Sequence, residues 1–304
     1  MNARRVATGI AGAAGLIAAF TMLSRLAGFA RYLVFADSVR SGGVGTVYQS
    51  VNALPNVVFE VAAGGVLAAA AVPLIAHRIG SGERDRADQA ASVLLTWVLV
   101  VLVPLGALLA ILAPPLSTLL VTGDDPESLD VAVRLLRIFA LQVPLYGVGI
   151  ILTGLLHAHR RFLMAALAPF LSSVVVLVSY LWYGSLTGGE TSPALVSDEA
   201  IAVLGWGTTL GVAVLSLPLV VPAVATGWRW RPALRLPPED VRRVATLAGA
   251  GVLALVAQQM AVVVTIRLAN FAGGDATFTV YTYVQAVYLL PYAVLAVPVA
   301  QSAF

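Results

Sequence analysis

The chain has 304 residues, of which 60% are hydrophobic and only 11% charged, and its formal net charge is +3. A soluble globular chain carries about a quarter charged residues, so a soluble enzyme of this length and a disordered protein are both excluded. The absence of cysteine excludes disulfides, thiol catalysis and cysteine-bound metals, and all 18 basic residues are arginines, whose placement carries the information.

Apolar stretches long enough to cross about 30 Å of hydrocarbon occur eight times, at 11–36, 44–76, 89–113, 128–156, 162–183, 199–226, 241–271 and 276–304. They predict an all-α, polytopic transmembrane helical bundle. Several exceed the minimum length, so tilt or kinking is expected, with Pro55, Pro104, Pro144, Pro169, Pro218 and Pro291 as kink sites. The first span follows Arg4 and Arg5 like a secretory signal, but its apolar run continues to Ala36, past any cleavage site, and reads as an uncleaved helix. The loop after span 2 holds Arg78, Arg84 and Arg86, that after span 4 Arg160 and Arg161, and that after span 6 Arg229, Arg231 and Arg235, with Arg242 and Arg243 next. With Arg4 and Arg5, 12 of the 18 arginines lie on one side, facing acidic loops with Asp124, Asp125, Glu127, Asp130, Glu190, Asp198 and Glu199. The positive-inside rule then places the N-terminus of this multi-pass chain in the cytoplasm.

Ionisable residues inside a membrane are rare and face a cavity or a partner. Arg25 falls near the middle of span 1, and Arg31 lies about 9 Å further along at 1.5 Å per residue. Span 2 carries Gln49, Asn52, Asn56 and Glu60 as one polar stripe leading to Gly64 and Ala68. Span 7 offers Gln258, Gln259, Arg267 and Asn270, and span 8 Tyr281, Gln285, Tyr288 and Tyr292. Two readings stand side by side. In one, arginines face an anionic substrate in a water-filled cavity, because guanidinium pairs bidentately with phosphate and stays charged. In the other, Glu60 is an ion-pair partner for Arg25 while Arg31, Arg40 and Arg267 snorkel to headgroups. His77, His157 and His159 sit at helix ends, where Trp182, Tyr183, Trp228 and Trp230 read as interfacial belt residues. No nucleophile–base pair, metal-ligand cluster or nucleotide motif is found, so the expectation is a non-enzyme with no cofactor, no metal and no nucleic-acid partner.

Sliding the chain against itself by 236 residues aligns Arg31 with Arg267, Gln49 with Gln285 and Leu54-Pro55 with Leu290-Pro291. Spans 7 and 8 thus read as a second copy of spans 1 and 2, in a parallel six-helix repeat. The expected division is a six-helix N-terminal lobe at 1–227 and, at 228–304, a cytoplasmic linker with the first two helices of an incomplete second lobe. The expectation is a fragment or a truncated product.

Ser24-Arg25-Leu26-Ala27-Gly28-Phe29-Ala30-Arg31 resembles the first-helix S-R-x-x-G-x-x-R pattern of the MurJ/MviN family. These are lipid II flippases of the multidrug/oligosaccharidyl-lipid/polysaccharide exporter superfamily. Leu54-Pro55-Asn56 resembles the family's L-P-N, Arg161-Phe162 to Ala168-Pro169 the start of its helix 5, and Leu290-Pro291 to Phe304 the end of helix 8 of the usual 14. The resemblance implies that Arg25 and Arg31 meet a lipid pyrophosphate, with Gln49, Asn52, Asn56, Glu60, Arg267 and Gln285 along the path. Tyr32 and Thr46 stand where many members have Asp, Glu60 where many have Arg, Gly64 where many have Glu, and Gln285-Ala286 for Asp-Arg, which makes this cavity less cationic. The implied function is outward movement of undecaprenyl-pyrophosphate-linked peptidoglycan precursor by alternating access, with the bilayer and cell-wall synthesis proteins as further partners. The alternatives are an exporter of another polyprenyl-linked glycan or a drug, and a non-transporting membrane scaffold.

Overall fold

The computed structural model describes residues 3–64, 73–79, 81–121, 125–235, 237–238, 240–242 and 252–291, with side chains in the first helix from Ala19 onward. Asp124, Arg243, the small-residue run 65–72, the start of the seventh expected span and the stretch 292–304 with Tyr292 lie outside the described residues. Among the described residues the main helices are, in order, α1 (Ala3–Ser38), α2 (Val44–Phe59), α3 (73–79), α4 (Arg84–Ile111), α5 (Ala113–Leu120), α6 (Pro126–Phe139), α7 (Gln142–Ala158), α8 (Phe162–Thr187), α9 (Asp198–Ser216), α10 (Val220–Val224), α11 (Val252–Ala272) and α12 (Thr277–Pro291). Among the described residues, five stretches are long and apolar enough to cross a membrane, namely Arg84–Ile111, Pro126–Ala158, Phe162–Thr187, Asp198–Val224 and Leu253–Ala272. The architecture is the expected all-α membrane bundle.

Proline shapes the departures from regular helices. Pro55 lies inside α2, and one turn later the helix widens into a π turn at Glu60–Gly64, the kind of register change that follows a lost backbone donor. The expected fourth span is two helices, α6 and α7, broken at Ala140–Leu141 just before Pro144. Pro114 and Pro115 lie in the opening turn of the short helix α5, because proline is tolerated in a first helical turn. Acidic-loop residues serve as caps as well as topology signals. Asp125 accepts from the Glu127 amide at the start of α6, and Ser197 accepts from the Ala200 amide at the start of α9. Glu190 accepts from the Ser192 and Thr191 amides, which hold its carboxyl below the usual range.

α8 packs on α1 and α9; α4 packs on α7, and α2 on α6 and α7. Small residues permit this closeness: a Cβ at Gly207 would sit 2.0 Å from Ser179 Oγ and one at Gly211 2.3 Å from a Val176 methyl. α11 docks on the π turn, α5 and α2, and α12 on α2 and α1. At the arginine-rich end the extended segment after α10 lies along α4. Trp228 and Tyr183 are 3% and 0% exposed, so these two are packed inside rather than belt residues, while Trp182 and Trp230 are exposed. The Trp228 indole donates to the Asp88 carbonyl on α4.

Candidate functional site

α1 presents both arginines toward the neighbouring helices. Arg25 is half-buried and lines a cavity of about 520 Å³ with Ser24, Thr153, His157, Phe162 and Pro169. Ser24 fixes this stretch of α1 by donating to the Phe20 and Ala166 carbonyls, the second of them on α8. Among the described residues no carboxylate pairs with Arg25. The expected Arg25–Glu60 ion pair is therefore absent. Arg25 is turned to α7 and α8, whereas Glu60 sits half-buried in the π turn of α2, on the side where α11 and α4 pack.

Arg31 is half-buried within electrostatic reach of the phenols of Tyr180, Tyr48, Tyr32 and Tyr146. These rings are held in place. The Tyr48 hydroxyl lies 2.8 Å from that of Tyr180 and 2.9 Å from Thr208 Oγ1, and the Tyr146 hydroxyl donates to Gln142 Oε1. Gln142, fully buried, donates in turn to Thr209 Oγ1, and Phe35 packs edge-on against Tyr180. Among the described residues no carboxylate or hydrogen-bond acceptor engages the Arg31 guanidinium. The sequence analysis missed this phenol ring, although tyrosines in the middle of apolar runs were its available signal.

The remaining candidates are dispersed. Gln49 and Asn52 are half-buried, the Asn52 carbonyl oxygen has no partner, and Asn56 is exposed. Gln285 is exposed on α12 with Tyr281 and Tyr288. Arg267 donates to the Leu119 carbonyl at 2.9 Å and lies 4.6 Å from the centre of the Phe271 ring, so its charge is engaged by a helix end and an aromatic face. No contact joins it to Arg25 or Arg31 among the described residues.

At the acidic end, a set of polar contacts ties α2 and α5 to α11 and α12. The Asp275 carboxylate accepts from Thr46 Oγ1 at 2.6 Å and from the Gly43 amide at 3.0 Å, and the Ala276 amide donates to Thr46 Oγ1. Asn270 donates to Ser50 Oγ at 2.7 Å and to the Leu120 carbonyl at 2.6 Å. Gly43 has φ of +52°, and a Cβ there would lie 2.0 Å from the Thr191 carbonyl oxygen. Only glycine permits that approach.

A family model described as lipid II flippase MurJ matches residues 7–304. The chain is 27% identical over 293 residues to a probable lipid II flippase MurJ of Rhizobium meliloti (strain 1021), covering 92% of this chain and 51% of the relative. It is 29% identical over 224 residues to one from Synechocystis, covering 72% and 40%. Its fold is similar to a solved lipid II flippase MurJ in an inward closed conformation, with TM-score 0.70, 19% identity and coverage of 93% and 56%. An inward-facing multidrug resistance MATE family transporter matches with TM-score 0.65 and 18% identity, covering 88% and 59%. The chain spans about half the length of the curated relatives it matches.

Proposed function

Since the chain belongs to the lipid II flippase MurJ family, we propose that it serves outward movement of an undecaprenyl-pyrophosphate-linked peptidoglycan precursor across the bacterial cytoplasmic membrane by alternating access, without catalysis. The observation that carries this reading is a pair of arginines, six residues apart on one membrane helix, neither with a carboxylate partner among the described residues. An unpaired cation in a membrane span is expensive, and a phosphate anion is the partner a guanidinium fork fits best. Arg25 receives the pyrophosphate and Arg31, ringed by phenols, meets it further along. Gln49, Asn52, Asn56, Glu60, Arg267 and Gln285 are the other polar groups assigned to the path. The N-terminus is cytoplasmic in this scheme, and the contacts of Asp275 and Asn270 close the outer end. Residues 1–227 form one moving unit, and 228–304 belong to the other.

The test is rescue of bacteria depleted of their own flippase by the full-length gene product. Rescue is expected to be lost on Arg25→Ala or Arg31→Ala, at unchanged membrane levels. Growth restored by a protein carrying both substitutions would remove the pyrophosphate role.

A further inference from the structure

A cavity of about 600 Å³ lies at the arginine-rich end, between the start of α4 and the extended segment that runs beside it. One wall is α4, whose Asp85, Asp88, Gln89 and Ser92 recur at three- and four-residue spacing and so share a helix face. The other wall is the segment, which contributes Arg229 and Arg231. Acidic and basic groups therefore line one cavity from opposite sides. They do not close on each other. Asp88 is half-buried within electrostatic reach of His159, Arg231 and Arg84. Among the described residues, however, no hydrogen bond or ion pair engages the side-chain charges of Asp85, Asp88, Arg229 or Arg231. Backbone contacts keep the walls apart at a fixed spacing, because the Arg231 amide donates to Ser92 Oγ and the Trp228 indole to the Asp88 carbonyl.

The surroundings are those of a membrane surface. Trp230 and Leu234 of the segment are exposed beside the cavity, and tryptophan is favoured at headgroup depth. The α4 face continues at the same spacing through Thr96 to Val100 and Val103, which are 57% and 51% exposed. A charged cleft thus leads onto an open apolar track.

We propose that this cleft binds the zwitterionic head of an aminophospholipid of the phosphatidylethanolamine type. The ammonium group donates to Asp85 and Asp88, the phosphate accepts from Arg229 and Arg231, and an acyl chain lies along Val100 and Val103. A ligand of one sign is repelled by one wall, whereas a dipolar head pairs with both. The bound lipid bridges α4 and the segment 228–235. Neither Arg25 nor Arg31 takes part, so the site stands or falls apart from the transport reading.

The probe is dihexanoyl phosphatidylethanolamine, titrated calorimetrically against the purified protein in detergent. The comparisons are dihexanoyl phosphatidylglycerol, which lacks the ammonium, and glycerophosphoethanolamine, which lacks the chains. Saturable binding of phosphatidylethanolamine is expected, with each comparison weaker by about tenfold or more. Asp88→Asn is expected to weaken phosphatidylethanolamine by about tenfold and phosphatidylglycerol not at all, which removes the preference between them. Arg231→Gln is expected to weaken both lipids. If Asp88→Asn fails to fold, as judged by its elution and helical content, Asp85→Asn decides. Phosphatidylglycerol binding as tightly as phosphatidylethanolamine, or phosphatidylethanolamine binding unchanged in the folded aspartate variant, overturns the proposal. Glycerophosphoethanolamine binding as tightly as the lipid overturns the membrane as the source of the ligand.

Discussion

Arg78 shows what a buried arginine paired with carboxylates looks like in this protein. It is 8% exposed, and its guanidinium donates to Asp240 and to Glu83, each at 2.8 Å. Burial of a charge is tolerated when partners replace water, and here they do. Arg25 and Arg31 have no such acidic partners among the described residues, which is why they, and not Arg78, carry the functional reading. The Arg78 cluster also makes a pH prediction. Its hydrogen bond, helped by the nearby Arg86 charge, holds the Glu83 carboxyl below the usual range. A depressed folded value contributes stability that is fully present above the unfolded value of about 4.3 and is lost as pH falls through the folded one. Melting temperature of the purified protein should therefore drop between neutral pH and the acid limb below that value. Glu83→Gln should show a shallower drop; an identical acid limb would dissociate Glu83 from acid sensitivity.

At the level of elements, the segment 228–235 has no secondary structure of its own and borrows hydrogen bonds from α4. The Arg231 amide donates to Ser92 Oγ, and the Ala233 amide and Trp230 indole donate to Thr96 Oγ1. The Trp97 indole donates back to the Leu234 carbonyl. Ser92 and Thr96, one helical turn apart, thus do for this segment what a neighbouring strand does in a sheet. Thr96→Val keeps the shape and removes the acceptor of two donors, at a cost of about 2 kcal/mol. The readout is trypsin cleavage at Arg229 and Arg235, expected to be several-fold faster than in wild type; equal cleavage would show that the segment is held by packing alone. Such contacts were not legible in the sequence, because nothing in a Ser and a Thr within an apolar run announces a partner some 140 residues later. The apolar runs themselves were legible, and so were Arg25 and Arg31, since a charge interrupting a span stands out locally. The π turn, α5 and the α6–α7 break depend on how particular prolines are absorbed, and the phenols around Arg31 come from four helical elements. Periodicity within one segment contains neither kind of information.

Across the whole molecule, α11 and α12, the helices that self-alignment pairs with the first two spans, dock against α2, and α12 also against α1. Their polar contacts cluster at one end: Thr46 and Gly43 meet Asp275, and Ser50 meets Asn270. Further toward the arginine-rich end, Gln285 and Tyr288 of α12 and Leu253 and Met260 of α11 are exposed. Alternating access requires the two ends of a bundle to open in turn, and in the proposed orientation this polar junction lies at the outer one. If that junction must part for each transport cycle, a covalent tie across it stops the cycle without touching the arginines. The chain contains no cysteine, so Thr46→Cys with Asp275→Cys introduces the only thiols, at side chains already in contact. Oxidation is expected to abolish rescue of flippase-depleted cells, and reduction to restore it, whereas either single substitution should leave oxidant-treated cells growing as untreated ones do. Growth that persists while gel mobility shows the crosslink complete would mean that this end never opens, and the alternating-access reading would fall with it.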